Sequence, residues 1–249
     1  MITHSFDDKS EPLFTPEAFL GPQRHLCDVC ILTFSDVILK ELQTRCSARE
    51  AGVLKSANGT RPVYLFEHAG KTIAVALCGI GATLAGGDVE ELHWITGATK
   101  FILFGSAGSL NREATAGKYV LPTEAYRDEG MSYHYAPPKD YIAIRTAQQT
   151  EAIFLELGLK YVKGRVWTTD AFYRETRRQF EARRAEGCLA VEMEIAGVEA
   201  VCDFYGFSLY AFLATGDVLD APTYENDALS SANHSLDKPH IALEIAARI

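Results

Sequence analysis

The apolar run at residues 29–34 (VCILTF), with a stretch of helical character directly behind it at 36–44, constrains this chain more than any other feature. A short continuous run rich in Val, Ile and Leu reads as a strand buried on both faces. The alternation then recurs. Gly79-Ile80-Gly81 leads into a helix through about 92–95 and on to the apolar run at 100–104. Farther along come a strand at 161–167, a charged helix near 174–184, a strand at 189–191, a helix at 194–205 and a strand at 208–214. Strands joined through helices pair in parallel, because a tight turn can only reverse the chain. The pattern predicts an α/β fold: one domain over residues 1–249, with a central mixed, largely parallel sheet flanked by helices. Residues 1–22 form an N-terminal arm in this reading. Segments 62–67 and 72–77 flank His68-Ala69-Gly70 as a hairpin, and 236–249 has helical spacing. Pro137-Pro138 and Pro222 mark loops.

Bulk properties remove several function classes. At 47% apolar residues the chain can build a large core, and 23% charged residues with 9 prolines argue against extensive disorder. A net charge of −9 disfavours nucleic acid as a partner, since phosphate neutralisation needs clustered Lys and Arg. No apolar stretch is long enough for a membrane span, and the polar start lacks the basic-then-apolar pattern of a signal peptide. Cys27 and Cys30 have CxxC spacing, but no second pair supports a metal site. Reduced thiols and a cytoplasmic location are expected, with neither metal nor cofactor. Leu84 stands where a dinucleotide-binding GxGxxG needs its third glycine, which disfavours that reading of Gly79-Ile80-Gly81.

Ligands of open α/β sheets bind beyond the carboxyl ends of strands. Gly105-Ser106-Ala107-Gly108-Ser109 follows one such end. Its small residues let backbone N–H groups approach an anion or a sugar, though a plain tight turn has the same composition. Glu192-Met193-Glu194 closes a short strand and opens a helix. Carboxylates there complement a helix dipole; one could equally accept hydrogen bonds from both hydroxyls of a ribose while Met193 packs on the sugar. Asp217, after the apolar 209–213, reads either as a helix cap or as an acid that protonates a departing base. Trp167, Phe172 and Tyr173 offer flat faces to a nucleobase, or pack as core. The run at 127–135 (RDEGMSYHY) suits a site rim or a subunit contact.

In this order the segments resemble the nucleoside phosphorylase and nucleosidase superfamily, which includes uridine phosphorylase, hexameric purine nucleoside phosphorylase and methylthioadenosine nucleosidase. The resemblance covers about residues 29–220 and rests first on Val191-Glu192-Met193-Glu194, then on Gly105-Ser106-Ala107-Gly108. Arg127-Asp128-Glu129-Gly130 and Ser132-Tyr133-His134-Tyr135 are similar to uridine phosphorylase. What it implies is cleavage of an N-glycosidic bond. Glu194 would bind the ribose hydroxyls, with Met193 on the sugar and Glu192 as a second ribose-side carboxylate. Trp167 and Phe172 would line the base pocket, and Asp217 would protonate a purine nitrogen. Ser106 would contact phosphate, with Gly81 and Gly105 also at the substrate. Arg178 lies where an arginine reads uracil, beside Thr176 in place of a glutamine, so purine and pyrimidine readings both stay open. Family members pair, implying a homodimer or a hexamer of dimers.

The departures concern phosphate. Leu103 and the Leu39-Lys40 pair stand where phosphorylases of this kind carry arginines, whose guanidinium forks grip phosphate. Lys40 and Arg49, then Arg45 and Arg112, are the substitutes within the sequence. The expected activity is a nucleoside phosphorylase using inorganic phosphate as co-substrate. Its rivals are a nucleosidase using water and a nucleoside-binding paralogue without turnover.

Overall fold

A computed structural model describes residues 1–57, 59–220 and 223–249; Pro222, expected in a loop, lies outside the described residues. The strands are β1 (Val29–Thr33), β2 (Arg49–Ser56), β3 (Gly59–His68), β4 (Lys71–Leu77) and β5 (Lys100–Ser109), then β6 (Tyr119–Asp128), β7 (Tyr141–Ala143), β8 (Tyr161–Thr169), β9 (Cys188–Glu192) and β10 (Ser208–Val218). The helices are α1 (Glu17–Leu20), α2 (Asp36–Arg45), α3 (Ala82–Thr96), α4 (Arg112–Thr115) and α5 (Ser132–Tyr135). They continue with α6 (Ala147–Glu156), α7 (Arg177–Ala185), α8 (Ile195–Tyr205), α9 (Leu229–His234) and α10 (Asp237–Arg248). No described helix is long and apolar enough to cross a membrane.

One mixed sheet runs in the order β10-β6-β8-β9-β5-β1-β4-β3-β2, and β5 also pairs with β10. Strands β5, β10, β6, β8 and β9 therefore close into a ring, with β1, β4, β3 and β2 as an open wing. The long central ladders, β5 with β10 and β6 with β8, are parallel, as are both pairings of β1. Between the named strands, antiparallel pairing is confined among the described residues to the β2–β3–β4 meander, the small β6–β7 pair and the two short closures of the ring, β10–β6 and β5–β9.

Helices cover both faces. On one, α3 and α8 pack with Val89, Leu92, Val198 and Val201 against Leu103 and Leu213 of the sheet. On the other, α2, α6 and α10 bring Ile38, Phe154 and Ile245 against Ile31, Ile102 and Phe212. Helix α8 is buried from Ile195 to Cys202, so its sequence is apolar around most of its circumference rather than along one stripe. Gly206 in the left-handed region (φ 72) stops it and turns the chain into β10. Strand β2 escapes the apolar pattern because it is the sheet's edge, with Leu54 its one fully buried side chain.

Two expected boundaries move. Gly105-Ser106-Ala107-Gly108-Ser109 is no turn: it continues β5. Asp217 is no helix cap either; it lies within β10, just past an irregularity between Thr215 and Asp217. The ring is the reason. To close against both β9 and β10, β5 must run on past the end of β1, whose pairing stops at Thr33↔Phe104. Pairing with β9 begins only at Gly108. On that edge Gly105, Ser106 and Ala107 have no ladder partner, and a gap opens in the sheet there.

Candidate active site

That gap is the floor of a cavity of about 780 Å³, bounded by the carboxyl ends of β1, β5, β9 and β10 and roofed by α9 and the start of α10. Gly105, Ser106, Phe172, Glu192, Met193, Glu194 and Asp217 all line it.

Glu192 is buried and spends its carboxylate on protein. One oxygen accepts the Thr168 hydroxyl; the other accepts the N–H groups of Glu194 (2.7 Å) and Ile195 (2.8 Å) at the start of α8. It thus satisfies two backbone donors that a helix start leaves orphaned. Glu194 sits at the N-cap position of α8, and its Oε1 accepts the N–H of Gly81 at 2.7 Å. Gly81 holds φ at +93, a conformation that L side chains rarely adopt. Burial raises both carboxyls above the usual carboxylate range, and the Glu194 charge adds to the effect on Glu192.

At the β10 side, Asp217 Oδ2 accepts the Tyr224 hydroxyl at 3.2 Å, and burial raises its carboxyl. Glu175, in the segment before α7, lines the same space, and its carboxyl has no hydrogen-bond or ion-pair partner among the described residues. Burial, then the Asp217 charge, push Glu175 up to about 7. Arg177 lines the cavity beside it, and Phe180 forms an apolar wall.

The β1 side is the cavity's cationic pole. Ser35 caps α2 by accepting the Ile38 N–H at 3.2 Å, and its Oγ lies 2.8 Å from His234 Nδ1. The Ser106 hydroxyl donates to Asn233 Oδ1. Lys238, 1% exposed, reaches the same region from α10.

The profile of the Phosphorylase superfamily matches residues 28–247. The chain belongs to that superfamily. Among curated relatives, a DeoD-type purine nucleoside phosphorylase of Caldanaerobacter subterraneus is 28% identical over 203 residues, covering 77% of this chain and 84% of the relative. Among solved structures, the 5'-methylthioadenosine/S-adenosyl homocysteine nucleosidase of Campylobacter jejuni superposes with a TM-score of 0.72 at 18% identity, over 90% of this chain and 100% of that one. The AMP nucleosidase of Bacteroides thetaiotaomicron gives 0.68 at 20% identity, over 89% and 87% of the two chains. The mixed α/β architecture with helices on both faces is that of the superfamily, and the two nucleosidase structures share the fold.

Several expected residues fall outside the cavity, among them Gly81, whose N–H is spent on Glu194. Trp167 is buried one layer behind, among Leu110, Phe180 and Val191, with Nε1 donating to Asp128 at 3.0 Å. Arg178 is displaced by one position: Glu175 and Arg177 line the cavity where Thr176 and Arg178 were expected. Thr176 instead opens α7 with a capping box to Gln179. Lys40 is a surface residue paired with Asp36 at 2.9 Å, and Arg49 lies on β2 in the wing. Arg45 contacts His240 at 2.7 Å and Arg112 pairs with Glu225 at 2.9 Å, neither lining the cavity. The 127–135 run folds into itself rather than forming a rim. Arg127 is buried, donates to Ser132 and Pro137, and stacks over Tyr133 at 4.2 Å. Sequence reading missed Glu175, Ser35, His234 and Lys238. A lysine and a histidine flanking the start of an apolar C-terminal helix were a weak signal at best, because nothing local ties them to strand ends two hundred residues earlier.

Proposed function

We propose that the chain is a nucleoside phosphorylase acting on purine nucleosides, releasing the free base and ribose 1-phosphate. The observation that carries this reading is Asp217 and Glu194 lining one cavity, one beside Tyr224 and the other pinned by Gly81. In the reaction the bond between C1′ and the base nitrogen breaks and its electron pair leaves with the base. Asp217 donates a proton to the purine ring, which makes the base a neutral leaving group. Glu194 accepts hydrogen bonds from the ribose hydroxyls and stabilises the positive charge that develops on the sugar. Glu192, with one oxygen committed to Thr168 and the other to the start of α8, acts by positioning Glu194, and Met193 packs on the sugar. Phe172, half exposed at the mouth, and Phe180 flank the base. A phosphate oxygen then forms the new bond to C1′, beside Ser106 and Gly105. Purine fits better than uracil because Arg178 does not line the cavity while Asp217 does.

Hydrolysis is the second reading. It is favoured by the position of Lys40, Arg45, Arg49 and Arg112, none of which lines the cavity. Purified protein incubated with a purine and pyrimidine nucleoside panel, with and without phosphate, and the sugar products weighed by mass spectrometry, tests both. Ribose 1-phosphate supports phosphorolysis, ribose supports hydrolysis, and uridine cleavage without purine cleavage overturns the base assignment.

The exposed Ile80, Leu84, Phe172 and Tyr173 suit a subunit contact, and we place the chain in a homodimer or a hexamer of dimers. Sizing chromatography that returns a monomer at micromolar concentration rejects this. The six unpaired cysteines suit the cytoplasm.

A further inference from the structure

The loop that holds Glu194 is itself held by another buried carboxylate. Asp88 stands on α3, 5% exposed, and its two oxygens engage three donors. Oδ1 accepts Arg61 Nη2 at 2.6 Å, while Oδ2 accepts Arg61 Nη1 at 2.5 Å and the backbone N–H of Gly79 at 2.7 Å. Two residues on, the Gly81 N–H donates to Glu194 Oε1 at 2.7 Å. The short loop from β4 to α3 is therefore gripped at both ends by a buried carboxylate, with Ile80 between them on the cavity wall.

Arg61 reaches Asp88 because of the sheet's register. The ladder of β3 with β4 ends at Val63↔Ala76, so Arg61 overhangs the carboxyl end of β4, where its Nη1 also donates to the Leu77 carbonyl at 2.9 Å. The guanidinium fork thus ties β3, the last residue of β4 and α3 together just before the loop begins. Asp88 must be an ionised carboxylate to accept on both atoms, since an amide has one acceptor. A buried ion pair is a poor source of stability, because desolvation offsets most of the attraction and apolar residues of the same volume often serve as well. What this pair supplies that apolar residues could not is a fixed direction for the Gly79 N–H. Gly79 also lies directly on the first turn of α3, where a Cβ would meet Leu84 Cβ at 2.6 Å. Gly81 has no side chain to hold its φ of +93, so the anchors of the loop must hold it.

We propose that the Arg61–Asp88 pair is a positioning device for the Glu194 carboxylate, acting through the backbone N–H groups of Gly79 and Gly81. Neither side chain lines the cavity, so neither touches the substrate. The assignment rests on the nucleoside-cleaving reading for what Glu194 does once positioned, but not for whether it is positioned. Misplacing a reacting or stabilising group by about 1 Å can cost about a hundred-fold in rate.

The test combines Asp88→Asn with Glu194→Ala in a double-mutant cycle, with Arg61→Lys as a milder variant that keeps the charge but loses the fork. Asp88→Asn should lower kcat and kcat/KM for the cleaved nucleoside together, by about ten- to a hundred-fold, and Arg61→Lys should do so less. In the Glu194→Ala background the Asp88 substitution should add nothing further, because the group it positions is gone. Independent damage would multiply instead. Hydrogen–deuterium exchange over residues 78–84, followed by mass spectrometry, reads the coupling without turnover. Asp88→Asn and Glu194→Ala should each speed exchange there, and the double variant should exchange no faster than the faster single one. Should Asp88→Asn fold poorly, the same cycle is run with Arg61→Lys. If the protein cleaves no nucleoside, non-additive exchange upholds the coupling and overturns the proposed function. Parental kcat in both variants, parental loop exchange in both, or effects on rate or exchange that multiply in the double variant overturn the positioning role.

Discussion

Glu194 Oε1 accepts the backbone N–H of Gly81 at 2.7 Å, joining residues 113 positions apart in the chain. This bond couples the start of α8 to the loop ahead of α3, so the carboxylate is oriented by backbone rather than by another flexible side chain. Preorganised groups of this kind act without reorganisation cost as charge develops.

Glu194→Ala should therefore lower kcat/KM for the cleaved nucleoside by about a hundred- to a thousand-fold. Circular dichroism should remain that of the parent, because the residue stands at the N-cap without a side-chain cap bond. Parental turnover in a folded variant would reduce Glu194 to a helix-start residue.

Asp217→Asn keeps the shape and the Tyr224 contact but cannot deliver a proton. Turnover of a purine nucleoside should fall about a hundred- to ten-thousand-fold with ligand affinity held. Single-turnover kinetics with separately measured binding would check this. A near-silent substitution rejects the general-acid role.

Burial, then the Asp217 charge, push Glu175 up to about 7. Activity that needs a protonated acid should decline as pH rises through that value. In Glu175→Gln only Asp217 remains, so the alkaline limb of the kcat/KM profile should move to lower pH. Stability has its own sign. A carboxyl raised in the folded state favours folding most below its unfolded value, near 4.5, and loses that advantage as pH rises to about 7. Glu175→Gln should melt above the parent at pH 8 and together with it near pH 4. Identical melting at both pH values contradicts the assignment.

Gly108 is the close-approach glycine of the site. A Cβ there would meet Leu219 Cδ1 at 2.5 Å, Val191 Cγ1 at 3.0 Å and Asp217 Oδ2 at 3.2 Å. Gly108→Ala should cost about 1–3 kcal/mol by overpacking and also slow turnover by displacing the Asp217 carboxyl. Denaturant titration and steady-state rates measure the two effects, and a variant unchanged in both shows that the neighbours yield freely.

Trp167→Phe tests the second-layer position of the indole. It removes the 3.0 Å bond to Asp128 and should cost about 1–3 kcal/mol while leaving the preference among nucleobases unchanged. A changed base preference would bring Trp167 back to the ligand.

What the sequence determined by itself are the features written locally. Apolar runs such as 29–34 mark buried strands because a strand covered on both faces needs no polar alternation. Glu192-Met193-Glu194 and Asp217 were legible because short strand ends in an α/β chain are where ligands bind. The tertiary structure decided everything that depends on direction and closure. Whether Arg177 or Arg178 faces the cavity turns on where α7 begins, since each residue of a helix turns the side chain by about 100°. Whether Trp167 touches ligand or core depends on β8 lying inside a closed ring, which no local period encodes. His234 meets Ser35 across 199 positions and its neighbour Asn233 meets Ser106 across 127, so these contacts are a property of the packed core and not of any segment.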